Sequence, residues 1–138
     1  GVWGVAFFVA QSVWAFTLLE ITNYLEHYGL VRAREENGEH ESVEIRHSWE
    51  SRERVASYLL VRLQRHPDHH RFGKRPYYLH QVHDDAPQLP YGYPVMILAA
   101  LVPPLWRKLM DDRVRAYRQE VEKKFGPLNL QEKGKGTQ

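Results

Sequence analysis

The sequence predicts a mainly α, helical integral membrane segment, and three observations carry that prediction. Residues 1 to 21, GVWGVAFFVAQSVWAFTLLEI, are apolar nearly all round. Histidines gather just beyond that run and again in LQRHPDHHR over 63–71. Basic residues crowd the stretches that follow the first helix and a second, shorter apolar run at 93–106. The expected elements are one transmembrane helix, a short polar hairpin, a re-entrant or buried apolar segment and a cytoplasmic C-terminal helix.

A chain of 138 residues suits one modest domain rather than two. A net charge of +2 gives no electrostatic case for binding nucleic acid. With no cysteine, disulfides, iron–sulfur clusters and thiolate zinc sites are all excluded. Any metal must be held by imidazole and carboxylate, and eight histidines are present to do it.

The first run is long enough at about 1.5 Å per residue to cross a bilayer core of about 30 Å. Only Gln11, Ser12, Thr17 and Glu20 interrupt it, so it has no polar face for a surface helix. A helix buried in a soluble core is the competing reading, and the mean hydropathy of −0.58 favours it until the polar remainder of the chain is discounted. The opening on Gly1, without a basic leader or a small-residue cleavage motif, is a poor signal peptide and reads as part of a longer protein. The helix is expected to continue to Gly29, a C-terminal stop signal. Glu20, Asn23 and His27 follow at spacings of three and four on one face, a polar stripe that should meet protein or water rather than lipid.

Residues 31–47 are polar around Asn37-Gly38, with Val43 and Ile45 alternating, which predicts a solvated β-hairpin. A helical pattern resumes at 53, with Val55, Leu59, Leu60 and Leu63 on one side, and a helix over 53–71 carries the dense histidine motif. Residues 71–94, rich in proline, glycine and tyrosine, read as an ordered covering loop. The apolar run at 93–106 is too short for a full span, and Pro103-Pro104 should break or kink a helix there. From Arg107 to Phe125 the pattern is charged and helical, and 126–138 reads as a frayed end. Arg32, Arg34, Arg107, Lys108, Arg113, Arg115, Arg118, Lys123 and Lys124 place both flanks on the cytoplasmic side by the positive-inside rule.

His66, His69 and His70 stand at i, i+3 and i+4, one side of a helix, within reach of a common centre. Neutral imidazole is the usual nitrogen ligand for iron, zinc and copper, and a solvated histidine-rich turn is the alternative. The adjacent His69 and His70 diverge by about 100° and so suit two different metals. Asp68 and Arg65 are candidates to fix the imidazoles from behind. Pro67 disfavours a continuous helix: either the helix kinks, or a new one opens with Pro67 at its first position. His27 has Asn23 one turn back, Glu26 beside it and Gly29 allowing close approach. His47, His80 and His83 read as supporting or surface groups, and His40 as surface.

NYLEHYGL (23–30) followed by LQRHPDHH (63–70) resembles the membrane-bound alkane 1-monooxygenases, the bacterial terminal alkane hydroxylases. HSWES (47–51) and DDAPQLPYGYPVMILAALVPPLWRKLMDDRV (84–114) are similar to the same family, so the resemblance covers most of the chain. It implies a multi-pass enzyme of the bacterial inner membrane, within the wider membrane desaturase–hydroxylase group, with a cytoplasmic centre of two iron ions. It also implies dioxygen and alkane as substrates and rubredoxin as electron donor. The ligands carried over are His27, His66, His69 and His70, with Asn23, Glu26, Asp68 and Arg65 supporting them. Two further histidine clusters of the family have no counterpart here, so residues 1–138 read as the C-terminal portion of one hydroxylase domain, inactive alone. Pro67 stands where the family leads one to expect serine, and Glu50 where it leads one to expect asparagine. A related enzyme acting on aromatic methyl groups or acyl chains, or a non-enzymatic metal-binding membrane module, are the rival readings.

Overall fold

Helix α1, Val2–His27, runs 26 residues with no internal proline, and residues 2 to 20 are exposed along their whole length. In the computed structural model, which describes residues 1–35 and 37–126, it is the helix long and apolar enough to cross a membrane. At about 1.5 Å per residue it spans about 39 Å. None of its apolar window is buried inside the chain, so it is not a core helix of the described residues. The Thr17 and Thr22 hydroxyls donate back to Val13 and Leu18 carbonyls at 2.8 and 2.9 Å, so these two polar side chains of an apolar helix are satisfied within it.

The helix ends where Tyr28 turns extended and Gly29 takes a left-handed φ of +69°. Its last carbonyls are met by an extended segment at 48–51: the backbone N–H of Trp49 donates to Glu26 at 2.8 Å and its indole to Tyr28 at 2.8 Å. The other edge of that segment pairs with 86–89, through Glu50 N–H to Pro87 O and Leu89 N–H to Glu50 O, both at 2.8 Å.

Helices α2 (Arg54–Leu59), α3 (His66–Arg71), α4 (Tyr93–Ala100) and α5 (Pro103–Phe125) follow. Helix α4 packs on both α1 and α5, and α3 packs on a 3-10 turn at Ile45–His47. The core is the seam they share: Leu25, Trp49, Tyr93, Met96, Trp106 and Met110 are almost wholly buried in it. The Trp106 ring packs against those of Tyr24 and Tyr28, at 5.4 and 5.2 Å between centroids.

Three expectations are corrected. The hairpin at 31–47 reduces to one isolated antiparallel bridge, Arg34 with His40, and among the described residues there is no strand. Its second limb turns instead into the 3-10 turn because the Glu44 carboxylate and the His47 imidazole cap each other's backbone. The helix expected over 53–71 is two helices: Val61 and Arg62 lie between them at φ 51° and 61°, left-handed backbone that ends the α pattern. The Arg62 guanidinium compensates by donating to the Tyr78 and His80 carbonyls at 2.6 and 3.1 Å. The C-terminal helix begins at Pro103 rather than Arg107, because prolines are accommodated in a first turn that needs no N–H donors. The tail at 127–138, read as frayed, and Glu36 within the expected hairpin lie outside the described residues.

Candidate metal centre

Side chains from the end of α1 meet side chains from α3. A new helix does open here, as the second of the two options held, but it starts at His66, with Pro67 at its second position rather than its first. A potential ligand atom of each of His27, His66 and His70 lies within 4.8 Å of the others. The Nε2 atoms of His27 and His70 are 3.4 Å apart, and the His66 and His70 rings stand edge to face at 4.3 Å between centroids.

The tautomer of His27 follows from its partner. Its Nδ1 is 3.1 Å from the His47 carbonyl, an atom that only accepts, so Nδ1 carries the proton and Nε2 keeps a free lone pair toward the cluster. The protonation state of the cluster also suits a metal. Burial, then the neighbouring imidazoles His70 and His27, push His66 down to about 3, and burial and His27 push His70 down to about 4. Both are therefore neutral donors at physiological pH. Three converging imidazoles, His66 and His70 among them held neutral, in a chain without thiols fit a divalent transition-metal ion.

The remaining expected residues are distributed around this centre. Glu26 is buried, its Oε2 3.4 Å from His66 Nε2 and its Oε1 accepting from the Tyr93 hydroxyl at 3.0 Å. Asp68, fully buried, holds Arg75 at 2.8 and 3.0 Å and His83 Nε2 at 2.6 Å. Arg65 donates to Glu50 Oε1 and to the Ser51 carbonyl, both at 3.0 Å. Glu50 is itself fully buried and accepts from the His83 backbone N–H and from Gln88 at 3.2 and 3.1 Å. These ties fix α3 from beneath. Asn23 is exposed one turn before His27. His69 is exposed and stands outside the triad, its ring 5.8 Å from that of His80.

His47, His83, Arg75 and Tyr93 have roles here that sequence reasoning missed or left vague. His47 contributes a backbone carbonyl, which no side-chain pattern signals. Its ring is occupied elsewhere: Nδ1 accepts from the Glu44 N–H at 2.9 Å, leaving Nε2 to donate to Glu41 at 3.0 Å. Tyr93 lies 67 positions from Glu26, and its only signal was a hydroxyl at the head of an apolar run.

Residues 1–100 match the sequence model of the fatty acid desaturase family. Alkane 1-monooxygenase 2 of Pseudomonas aeruginosa is 54% identical over 114 residues, which are 83% of this chain and 30% of that protein. Alkane 1-monooxygenase 2 of Alcanivorax borkumensis is 49% identical over 114 residues, again 83% and 30%. Alkane 1-monooxygenase of Acinetobacter baylyi is 42% identical over 120 residues, 86% of this chain and 29% of that protein. The chain thus spans about 30% of the length of these curated relatives.

Proposed function

The chain belongs to the fatty acid desaturase family, and on that premise we propose that it is part of a membrane diiron monooxygenase that hydroxylates the terminal methyl group of alkanes with dioxygen. The observation that carries the proposal is the convergence of His27, His66 and His70 at the foot of an exposed apolar helix, in a chain about half identical to alkane 1-monooxygenases. Two iron ions, when bound, supply the oxidising power for an unactivated C–H bond, which amino-acid side chains do not provide.

The residues of this chain hold and shield that centre. His27, His66 and His70 would hold one iron; burial keeps His66 and His70 neutral, the His47 carbonyl orients His27, and Glu26 orients His66. His69 serves the second iron, since adjacent residues on a helix diverge by about 100°. Its other donors belong to the length of enzyme that this chain does not span. Asp68 and Arg65 pin α3 to the buried network below it. Trp49, Leu25 and Tyr93 close the space around Glu26 against water. Helix α1 stands in the bilayer of the bacterial inner membrane as one of several spans, so an alkane partitions from lipid directly toward the histidines. Helix α4 is a re-entrant or buried segment, and the histidines and α5 face the cytoplasm, where rubredoxin delivers electrons.

The test is made on the intact enzyme in detergent: iron per polypeptide, and label from ¹⁸O₂ in the alcohols formed from a series of linear alkanes. About two irons and labelled 1-alkanols are expected. Iron-loaded enzyme that oxidises xylene methyl groups or desaturates acyl chains while sparing alkanes would overturn the substrate assignment. Zinc in place of iron would overturn the reaction class.

A further inference from the structure

Tyr93 opens α4, directly after Gly92 and before Pro94, and is fully buried. Its ring belongs to the core, but its hydroxyl lies in the only polar chain that crosses from α4 to the metal centre among the described residues. The hydroxyl donates to Glu26 Oε1 at 3.0 Å and lies 3.5 Å from the Trp49 carbonyl. A phenol has one proton to give, and Glu26 Oε1 is the nearer of its two acceptors. The other carboxylate oxygen, Oε2, is 3.4 Å from His66 Nε2. Among the described residues, Tyr93 and His66 are the polar side-chain partners of the Glu26 carboxyl group, which is buried.

We propose that Tyr93 is a positioning residue for the metal centre: its hydroxyl fixes Glu26, and Glu26 fixes the His66 imidazole. The inference rests on the metal-centre reading above and extends it to a residue on a different helix. A carboxylate held at one oxygen has a single orientation to offer its second oxygen. Without the phenol it is free to rotate about its last torsion, and His66 loses a defined partner. Helix α3 touches neither α1 nor α4 extensively. The orientation of His66 therefore depends on such side-chain links rather than on helix packing. Partners that orient a ligating imidazole typically contribute about 10- to 100-fold in metal affinity, which sets the size of the expected effect.

The experiment uses the intact enzyme, stripped of iron and titrated with Co²⁺, whose visible spectrum reports both affinity and ligand geometry. Tyr93→Phe keeps the ring in the core and deletes only the hydroxyl. It is expected to weaken Co²⁺ binding about 10-fold and to alter the spectrum. Glu26→Gln should weaken it at least as much, and the double variant should be no worse than Glu26→Gln alone, because the effect of Tyr93 passes through Glu26. Tyr93→Phe binding as tightly as the unaltered enzyme, or losses that multiply in the double variant, overturns the proposal. A second measurement is independent of metal: the ¹⁵N shifts of the His66 ring in metal-free protein. Tyr93→Phe should move them, and unchanged shifts overturn the link. If the unaltered enzyme binds no metal at these histidines, the metal-centre reading has failed, and the shifts alone then decide the fate of the Tyr93–Glu26–His66 link.

Discussion

Gly29→Ala is the substitution whose cost the structure states most directly. Gly29 sits two residues after His27 with φ +69°, and a Cβ built there would lie 2.6 and 2.8 Å from the two γ-methyls of Val114 on α5. Two penalties combine. A left-handed residue with a side chain costs about 1–2 kcal/mol. Forcing a methyl against a stiff β-branched neighbour in a packed seam adds about 1–3 kcal/mol. The sum is about 3 kcal/mol. The local chain has little freedom to relax, since Arg118 donates to the Gly29 carbonyl at 2.8 and 2.6 Å and the Tyr28 hydroxyl holds Asp111 at 2.7 Å. Val114→Ala alone removes two methyls worth about 1.5 kcal/mol, at about 0.8 kcal/mol each. In the double variant the clash disappears while the backbone strain and the lost methyls remain. The expected total is then about 3 rather than 4.5 kcal/mol, a coupling of about 1.5 kcal/mol. Denaturation of the four proteins in detergent, followed by near-ultraviolet circular dichroism, measures it. Strict additivity would show that the α1–α5 contact is not what makes Gly29 necessary.

Three further outcomes are expected. His27→Ala and His69→Ala should each retain about one metal per chain by mass spectrometry, because each empties a different position. Combined they should retain none, whereas His27→Ala combined with His70→Ala should still retain about one, and equal retention in the two double variants would place His69 in the same centre. Metal-free protein should lose stability in acid. His66 and His70 sit at about 3 and about 4 when folded, against 6.5 unfolded, so above that value they are neutral in both states and add no slope. Below it the unfolded chain takes up protons that the folded one refuses, at up to about 1.4 kcal/mol per pH unit per group. Flat stability from pH 7 to 4.5 would refute their neutrality, and His66→Gln should reduce the slope. Finally, Val13→Arg, near the middle of α1, should cost about 2.5–3.5 kcal/mol of membrane insertion, read by glycosylation mapping; unimpaired insertion would argue against a lipid environment.

What the sequence makes legible is what local chemistry decides. The apolar run, its stop at Gly29 and the charged helix ending at Phe125 follow from composition and periodicity, and α1 and α5 end where those signals stand. The break at Val61 and Arg62 left no local mark: neither is glycine, and their backbone is held by tertiary bonds from Arg62 to carbonyls 16 and 18 positions away. The histidine motif shows the boundary between the two kinds of information most sharply. At 100° per residue, His70 lies about 40° to one side of His66 and His69 about 60° to the other. Spacing therefore nominates all three as neighbours but cannot select the pair that shares a metal. The selection is made by the side from which His27 approaches, and the structure brings it in beside His70, with Nε2 atoms 3.4 Å apart. That approach depends in turn on the His47 carbonyl, on the turn at Gly29 and on its seat against Val114. The candidate donors are thus written in residues 27 and 66–70, while their grouping in the structure depends on the packing of α5 against Tyr24, Tyr28 and Gly29, at positions that carry no metal-binding chemistry of their own.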